Sequence, residues 1–140
     1  MPATEQDVER IRGMFETFSA RFDRIAAGEV DAFFAEHYTE DARIESPDAF
    51  PAPADFRGVE GYRTMVQEAY GPYEGVEWEL EEAEAVGDSV VVKALIRGRA
   101  KGDPVLIEVR VAFAYEMRDG RICRSRLFLS HERALEAARG

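Results

Sequence analysis

The sequence predicts an α+β domain in which three N-terminal helices pack on a strongly curved, mostly antiparallel sheet. Two patterns and one kind of punctuation predict it. Apolar residues in the first half recur at spacings of three and four, the period of a helix with one buried stripe. From Val76 onward they alternate one by one, the period of a strand with one buried face. Gly-Asp and Asp-Gly pairs separate the alternating runs, as hairpin turns require. The chain has 140 residues, which fits a single domain over 1–140 with enough length to bury a core.

The first helix is expected from about Thr4 to Ala27, with Val8, Ile11, Phe15, Phe18, Phe22 and Ile25 on its stripe. Thr4 and Asp7 suit its start, and Gly28 its stop. A short second helix, Asp31 to Tyr38, carries Phe33, Phe34, His37 and Tyr38 on its apolar side. Ala42 to Ser46 alternate as a short strand. Residues 46–58 hold three prolines, which predicts an irregular loop. The third helix, Val59 to Tyr70, turns Val59, Tyr62, Met65, Val66 and Ala69 to one side. Strands follow over Val76–Val86, Ser89–Arg99, Val105–Met117 and Arg121–Leu129, then a polar tail with some helical character.

The formal net charge of −10 excludes nucleic acid and anionic membrane as natural partners, since both demand clustered Lys and Arg. The single cysteine, Cys123, allows no intrachain disulfide. The polar, acidic first ten residues do not read as a secretory signal, and no apolar run has the length of a bilayer span. A cytoplasmic location is the resulting expectation. His37, His131 and Cys123 match no common zinc spacing, so no metal is expected. No phosphate-cradling glycine loop or dinucleotide fingerprint is found, and no cofactor is expected.

Several segments in order resemble the SnoaL-like branch of the nuclear transport factor 2-like superfamily. They are Ala27-Gly28-Glu29-Val30-Asp31 between the first two helices and Glu40-Asp41-Ala42 leading into the first strand. Phe56-Arg57-Gly58-Val59-Glu60-Gly61 leads into the third helix. Val86-Gly87-Asp88-Ser89-Val90-Val91-Val92 and Met117-Arg118-Asp119-Gly120-Arg121-Ile122 carry hairpins. The resemblance implies a cone-shaped α+β barrel with an apolar pocket for a small polyketide-, steroid- or terpenoid-like molecule, and a homodimer through the outer sheet face. It does not carry over the ketosteroid isomerase residues, whose positions fall on Ser46, near Val111 and near Arg21. For an Asp–Arg–Asp relay like that of limonene epoxide hydrolase, the nearest residues are Glu108 and Arg110, and strand parity puts both outside the cone.

The same parity assigns Val105, Ile107, Val109, Val111, Phe113, Tyr115 and Met117 to the cone interior, with Cys123, Ser125, Leu127 and Leu129 beside them. Glu108, Arg110, Arg124, Arg126 and Phe128 are assigned outward. The expected pocket lining is Phe22, Phe34, Ile44, Ser46, Phe56, Tyr62, Met65, Trp78, Val111, Phe113, Ser125 and Leu127. His37 is the titratable residue best placed to act as a base, with Tyr115, Tyr62 or Ser46 as donor. Asp48 and Asp55 are loop carboxylates able to reach the pocket mouth. Each has a plainer reading: a core histidine, core aromatics with edge hydroxyls, and turn aspartates. Two functions stay open: an isomerase, cyclase or hydratase working by proton transfer with His37, Asp48 and Tyr115 as its catalytic set, or a non-catalytic binding or interaction module.

Overall fold

The computed structural model describes residues 1–48 and 54–140. Helix α1, Glu5–Ala20, opens on a reciprocal cap. Thr4 Oγ1 accepts from Asp7 N–H at 3.1 Å, and the Asp7 carboxylate accepts from Thr4 N–H at 3.0 Å. The single long helix predicted to Ala27 breaks at Arg21 instead, where φ is −119° and ψ is 17°. A short turn α2 (Phe22–Arg24), a π-helical turn (Ile25–Glu29) and helix α3 (Val30–His37) follow. The apolar spacing conceals this break because Phe18 before it and Phe22 and Ile25 after it all stay buried. Gly28 takes φ 148° inside the π turn, a conformation costly for any residue with a Cβ.

Strand β1 runs over Tyr38–Ser46, four residues earlier than the alternation indicates. The irregular loop expected to Gly58 is also corrected. Ala54–Arg57 form a strand, β2, antiparallel to β1 with Ile44 opposite Phe56. The prolines end at Pro53, so this stretch keeps every N–H that a ladder needs. Residues 49–53 of that loop lie outside the described residues.

Helix α4 covers Gly58–Tyr70. Strands β3 (Tyr73–Val86), β4 (Ser89–Ala100), β5 (Ile107–Arg118) and β6 (Arg121–Phe128) complete an open, curved sheet in the order β2-β1-β6-β5-β4-β3. All pairs are antiparallel except β1 with β6. The β5–β6 turn has positive φ at both Asp119 (53°) and Gly120 (80°), as a tight hairpin prefers. Helix α5, His131–Arg139, capped by Ser130, replaces the loosely helical tail.

The concave face packs on α1 to α4 through Phe15, Phe18, Phe33, Tyr62, Trp78, Phe113 and Tyr115, all buried. The convex face carries a second small core, in which α5 lays Ala134 over Val91, Ala112, Ala114 and Phe128. Phe128 is thus outward as predicted, yet buried.

Two parity assignments are overturned. Cys123 does not face inward: a bulge between Glu116 and Met117 places Ile122 there, fully buried. Cys123 Sγ instead contacts Glu116 Oε2 at 3.3 Å. Val105, Ile107 and Val109 do not line an enclosed hollow, nor does Leu129; all four are exposed. Helix α4 stops at Tyr70 and leaves this end of the sheet uncovered.

Candidate functional site

The uncovered end of the sheet forms an apolar groove of about 330 Å³. Tyr70, at the end of α4, forms one wall with Ala69, and Tyr73 and Val76 of β3 continue it. Ile96 and Gly98 of β4, Ile107, Val109 and Val111 of β5, and Leu127 and Leu129 complete the lining, with Arg97 as the charged member. Gly98 is needed for this shape, because a Cβ there would meet Val76 Cγ2 at 3.2 Å. Ile107 (45% exposed), Val109 (44%) and Leu129 (63%) leave large apolar side chains at its rim.

A larger cleft, about 1130 Å³, lies between α3, the start of β1 and the β5–β6 turn. Its walls mix apolar side chains, Phe34, Tyr38 and Val59 among them, with charged ones, of which Asp31, Asp41 and Arg118 already have partners. Asp41 pairs with Arg118 at 2.6 Å, and Asp31 accepts from both Arg63 Nε and Nη2 at 2.6 Å. Both carboxyls are held below the usual range, Asp31 chiefly by the Arg63 hydrogen bond and Asp41 by Thr39 and then Arg118. The smaller groove is the better site for an apolar ligand, because its lining is almost wholly apolar whereas the cleft interleaves its apolar side chains with charged ones.

The interior behind the groove is solid. Phe18 stacks on Trp78 with ring centroids 4.1 Å apart, Phe15 meets Trp78 at 5.0 Å, and Phe113 stacks on Tyr115 at 5.1 Å. Of the residues predicted to line a pocket, only Val111 and Leu127 face the groove. Phe22, Phe34, Ile44, Tyr62, Trp78, Phe113 and Ser125 are buried core, and Phe56 and Met65 pack against that core. Ser46 ends β1, opposite Ala54. Aromatic volume fills the hollow that strand parity leaves open; parity gives a side chain's direction and not the space it occupies.

The three predicted catalytic residues do not come together. His37 ends α3, with its ring 4.6 Å from that of Phe33. Burial pushes its pKa below 6.5, with Glu36 opposing, so the imidazole is neutral at pH 7. Its Nε2 is buried with no hydrogen-bond partner. Asp48 is held elsewhere, accepting from Leu129 N–H at 3.0 Å and pairing with Arg133. Tyr115 lies on β5 between Val90 and Ser125, and burial raises its phenol well above the ordinary value. Asp55 pairs with Arg43 at 3.1 Å. Arg110 contacts Glu81 at 3.3 Å on the convex face rather than forming a relay with Glu108.

The groove residues that sequence reasoning missed as site residues are Ala69, Tyr70, Tyr73, Val76, Ile96, Arg97 and Gly98. One signal was present: Gly98 follows Val90, Val92, Ala94 and Ile96 in the apolar row of its strand, and a glycine there marks a close backbone approach. Among the described residues, no group of three or more His, Cys, Asp or Glu side chains is placed to hold a metal. Among the same described residues, no helix is long and apolar enough to cross a membrane.

The fold is shared widely. An M. tuberculosis LEH-like epoxide hydrolase superposes with a TM-score of 0.68 at 17% identity, covering 99% of this chain and 90% of that one. A nuclear transport factor 2-like protein from Burkholderia xenovorans LB400 gives 0.64 at 22% identity, with 100% of each chain covered. A protein from Catenulispora acidiphila DSM 44928 with a ketosteroid isomerase-like fold, in complex with trimethylamine, gives 0.64 at 18% identity, covering 82% of this chain and 83% of that one. At these identities the likeness is one of fold. Comparison with curated protein sequences gives no match. The family model described as the SnoaL-like domain matches residues 18–125, well over half of the chain, and the chain belongs to that family.

Proposed function

We propose that this protein binds a small apolar molecule in the groove between α4 and the uncovered end of the concave sheet. The observation that carries the reading is the groove itself, about 330 Å³ of apolar lining left open to solvent. Contiguous exposed apolar side chains mark a binding surface more often than scattered ones do. At about 30 Å³ per water-sized group, the groove holds roughly eleven such groups. That suits a compact terpenoid-sized molecule better than a four-ring steroid or polyketide.

Binding without turnover is the form of this proposal. Proton transfer near neutral pH needs a base within hydrogen-bond reach of the ligand. The described lining offers tyrosines and Arg97, while His37 and Asp48 are committed elsewhere. A cytoplasmic location belongs to the same proposal, as does a homodimer through the convex surface that α5 leaves open. That surface carries Arg43, Glu45, Arg124 and Arg126, with Arg124 and Glu45 2.9 Å apart.

The test is native mass spectrometry of the protein purified from cells, followed by calorimetric titration with cyclodecane, a ring that fits the volume. A bound species or saturable binding is expected. Val109→Glu, which places a carboxylate at an already exposed rim position, should abolish binding and leave the melting curve unchanged. Equal binding by that variant would remove the groove as the site.

A further inference from the structure

Among the described residues, Met1 apart, every large apolar side chain left exposed lies in one place: Val105, Leu106, Ile107 and Val109 around the start of β5, and Leu129, which shares the groove with Ile107 and Val109. The backbone there is open as well. β6 pairs with β5 only from Ala112 onward, so Ile107–Val111 has β4 on one side and, among the described residues, no strand on the other. Alternate N–H and C=O groups of this stretch therefore point outward without a ladder partner. Sheet edges are normally guarded, because a bare one pairs with a strand that meets it. β3, at the rim of the sheet, is guarded by two register breaks, a row of glutamates and the Ser19 contact. Ile107–Val111 runs in unbroken register with β4 and carries one charge of each sign, Glu108 and Arg110.

Those two charges select a partner. On the convex face Glu77, Arg97 and Glu108 stand abreast on β3, β4 and β5, with Arg97 held by Glu79 at 2.8 Å and Glu77 at 3.9 Å. The far side of Glu108 faces the open edge, and a cation there continues the alternation of charge. A second copy of this chain supplies one when a two-fold axis normal to the sheet lays its β5 antiparallel on this edge. Such an axis keeps both concave faces on one side, so the register must centre on a residue. Centred on Glu108 or Arg110, it sets a charge against itself, which is repulsive. Centred on Val109, it uses all five open residues, with Glu108 of each copy opposite Arg110 of the other and Ile107 opposite Val111.

We infer that the open edge of β5, Ile107–Val111, is a self-association site that pairs antiparallel about Val109 with the same segment of a second copy. The two grooves then meet across the axis, since Ile107 and Val109 line them. Five ladder residues per chain make a small interface, so the chain is a monomer when dilute and a dimer when concentrated.

Sedimentation equilibrium of the intact chain over a concentration series should show that exchange. Glu108→Arg alone and Arg110→Glu alone each set like charges opposite one another twice, and each should weaken self-association about tenfold. Mixed together, the two variants regain both opposite-charge pairs and should associate as wild type does. Melting curves report whether each variant folds. Cysteine placement separates this edge from the convex surface. In a Cys123→Ser background, Val109→Cys puts two thiols on the axis with Cα atoms about 5 Å apart, within disulfide reach. Ile107→Cys, on the same face and equally exposed, lies about 13 Å from its counterpart and out of reach. Oxidation should cross-link the first and not the second. A chain that stays monomeric at every concentration overturns the proposal. So does a dimer that neither charge reversal weakens, a mixture of folded variants that fails to associate, or equal cross-linking at both positions.

Discussion

Burial holds the His37 imidazole neutral, and this has a pH signature. Its pKa is lowered from 6.5 by desolvation, only partly countered by Glu36. Between 6.5 and the lowered native value, the unfolded chain binds a proton that the folded chain refuses, so stability falls as pH drops through that window. Above 6.5 the contribution is fully present. Urea unfolding at several pH values should show wild type losing stability on acidification relative to His37→Gln, and parallel curves would refute this account. Cys123 is shifted by the same physics in the opposite sense. Burial, then the Glu116 contact, pushes its thiol up to about 11. Iodoacetamide at pH 8 should therefore alkylate it at least tenfold more slowly than an ordinary thiol. Reaction at the ordinary rate would mean that the Glu116 contact is not kept in solution. The sequence offers both residue types but not their surroundings: one bulge at Glu116 decides that Cys123 faces Glu116 rather than the core.

The elements were legible wherever a single period ran unbroken. The stripe from Val8 to Phe18 and the alternation from Val90 to Ile96 each describe one continuous buried face, and the structure keeps both. The errors fall at joints, where tertiary contacts decide. The chain breaks at Arg21 without losing its stripe, and β2 forms only because β1 is there to pair with it. One joint can be tested directly. β3 is an edge strand, so one side of its backbone has no strand partner. At Trp78 that side is met by α1: Ser19 Oγ accepts from Trp78 N–H at 2.7 Å and donates to its carbonyl at 3.0 Å. Ser19→Ala should cost roughly 1–3 kcal/mol, since both backbone groups lose their partner at once. Denaturant midpoints measure it, and an unchanged midpoint would show that water takes over both bonds.

At the scale of the whole molecule, the order of helices and strands made the fold class readable, whereas the site was not. Val111 and Leu127 were foreseen in the groove, but the enclosed hollow around them is occupied by Phe15, Phe18, Trp78 and Phe113. Alternation cannot report such filling, because a side chain that lines a cavity and one that fills it share the same parity. The convex face has the same character. Its small residues Ala112 and Ala114 read as unremarkable strand positions, yet they let α5 settle on Phe128, where the Arg133 guanidinium lies 5.4 Å from the ring centroid. Arg133 also pairs with Asp48, tying the helix to the end of β1. A chain ending at Ser130 would expose Val91, Phe128 and both alanines together and release Asp48. It should melt at a lower temperature and self-associate as concentration rises, because an uncovered apolar sheet face seeks another surface. Light scattering across a dilution series and a thermal melt measure the two effects. A shortened chain that matched the full one in both would mean that α5 contributes no cover to the convex core.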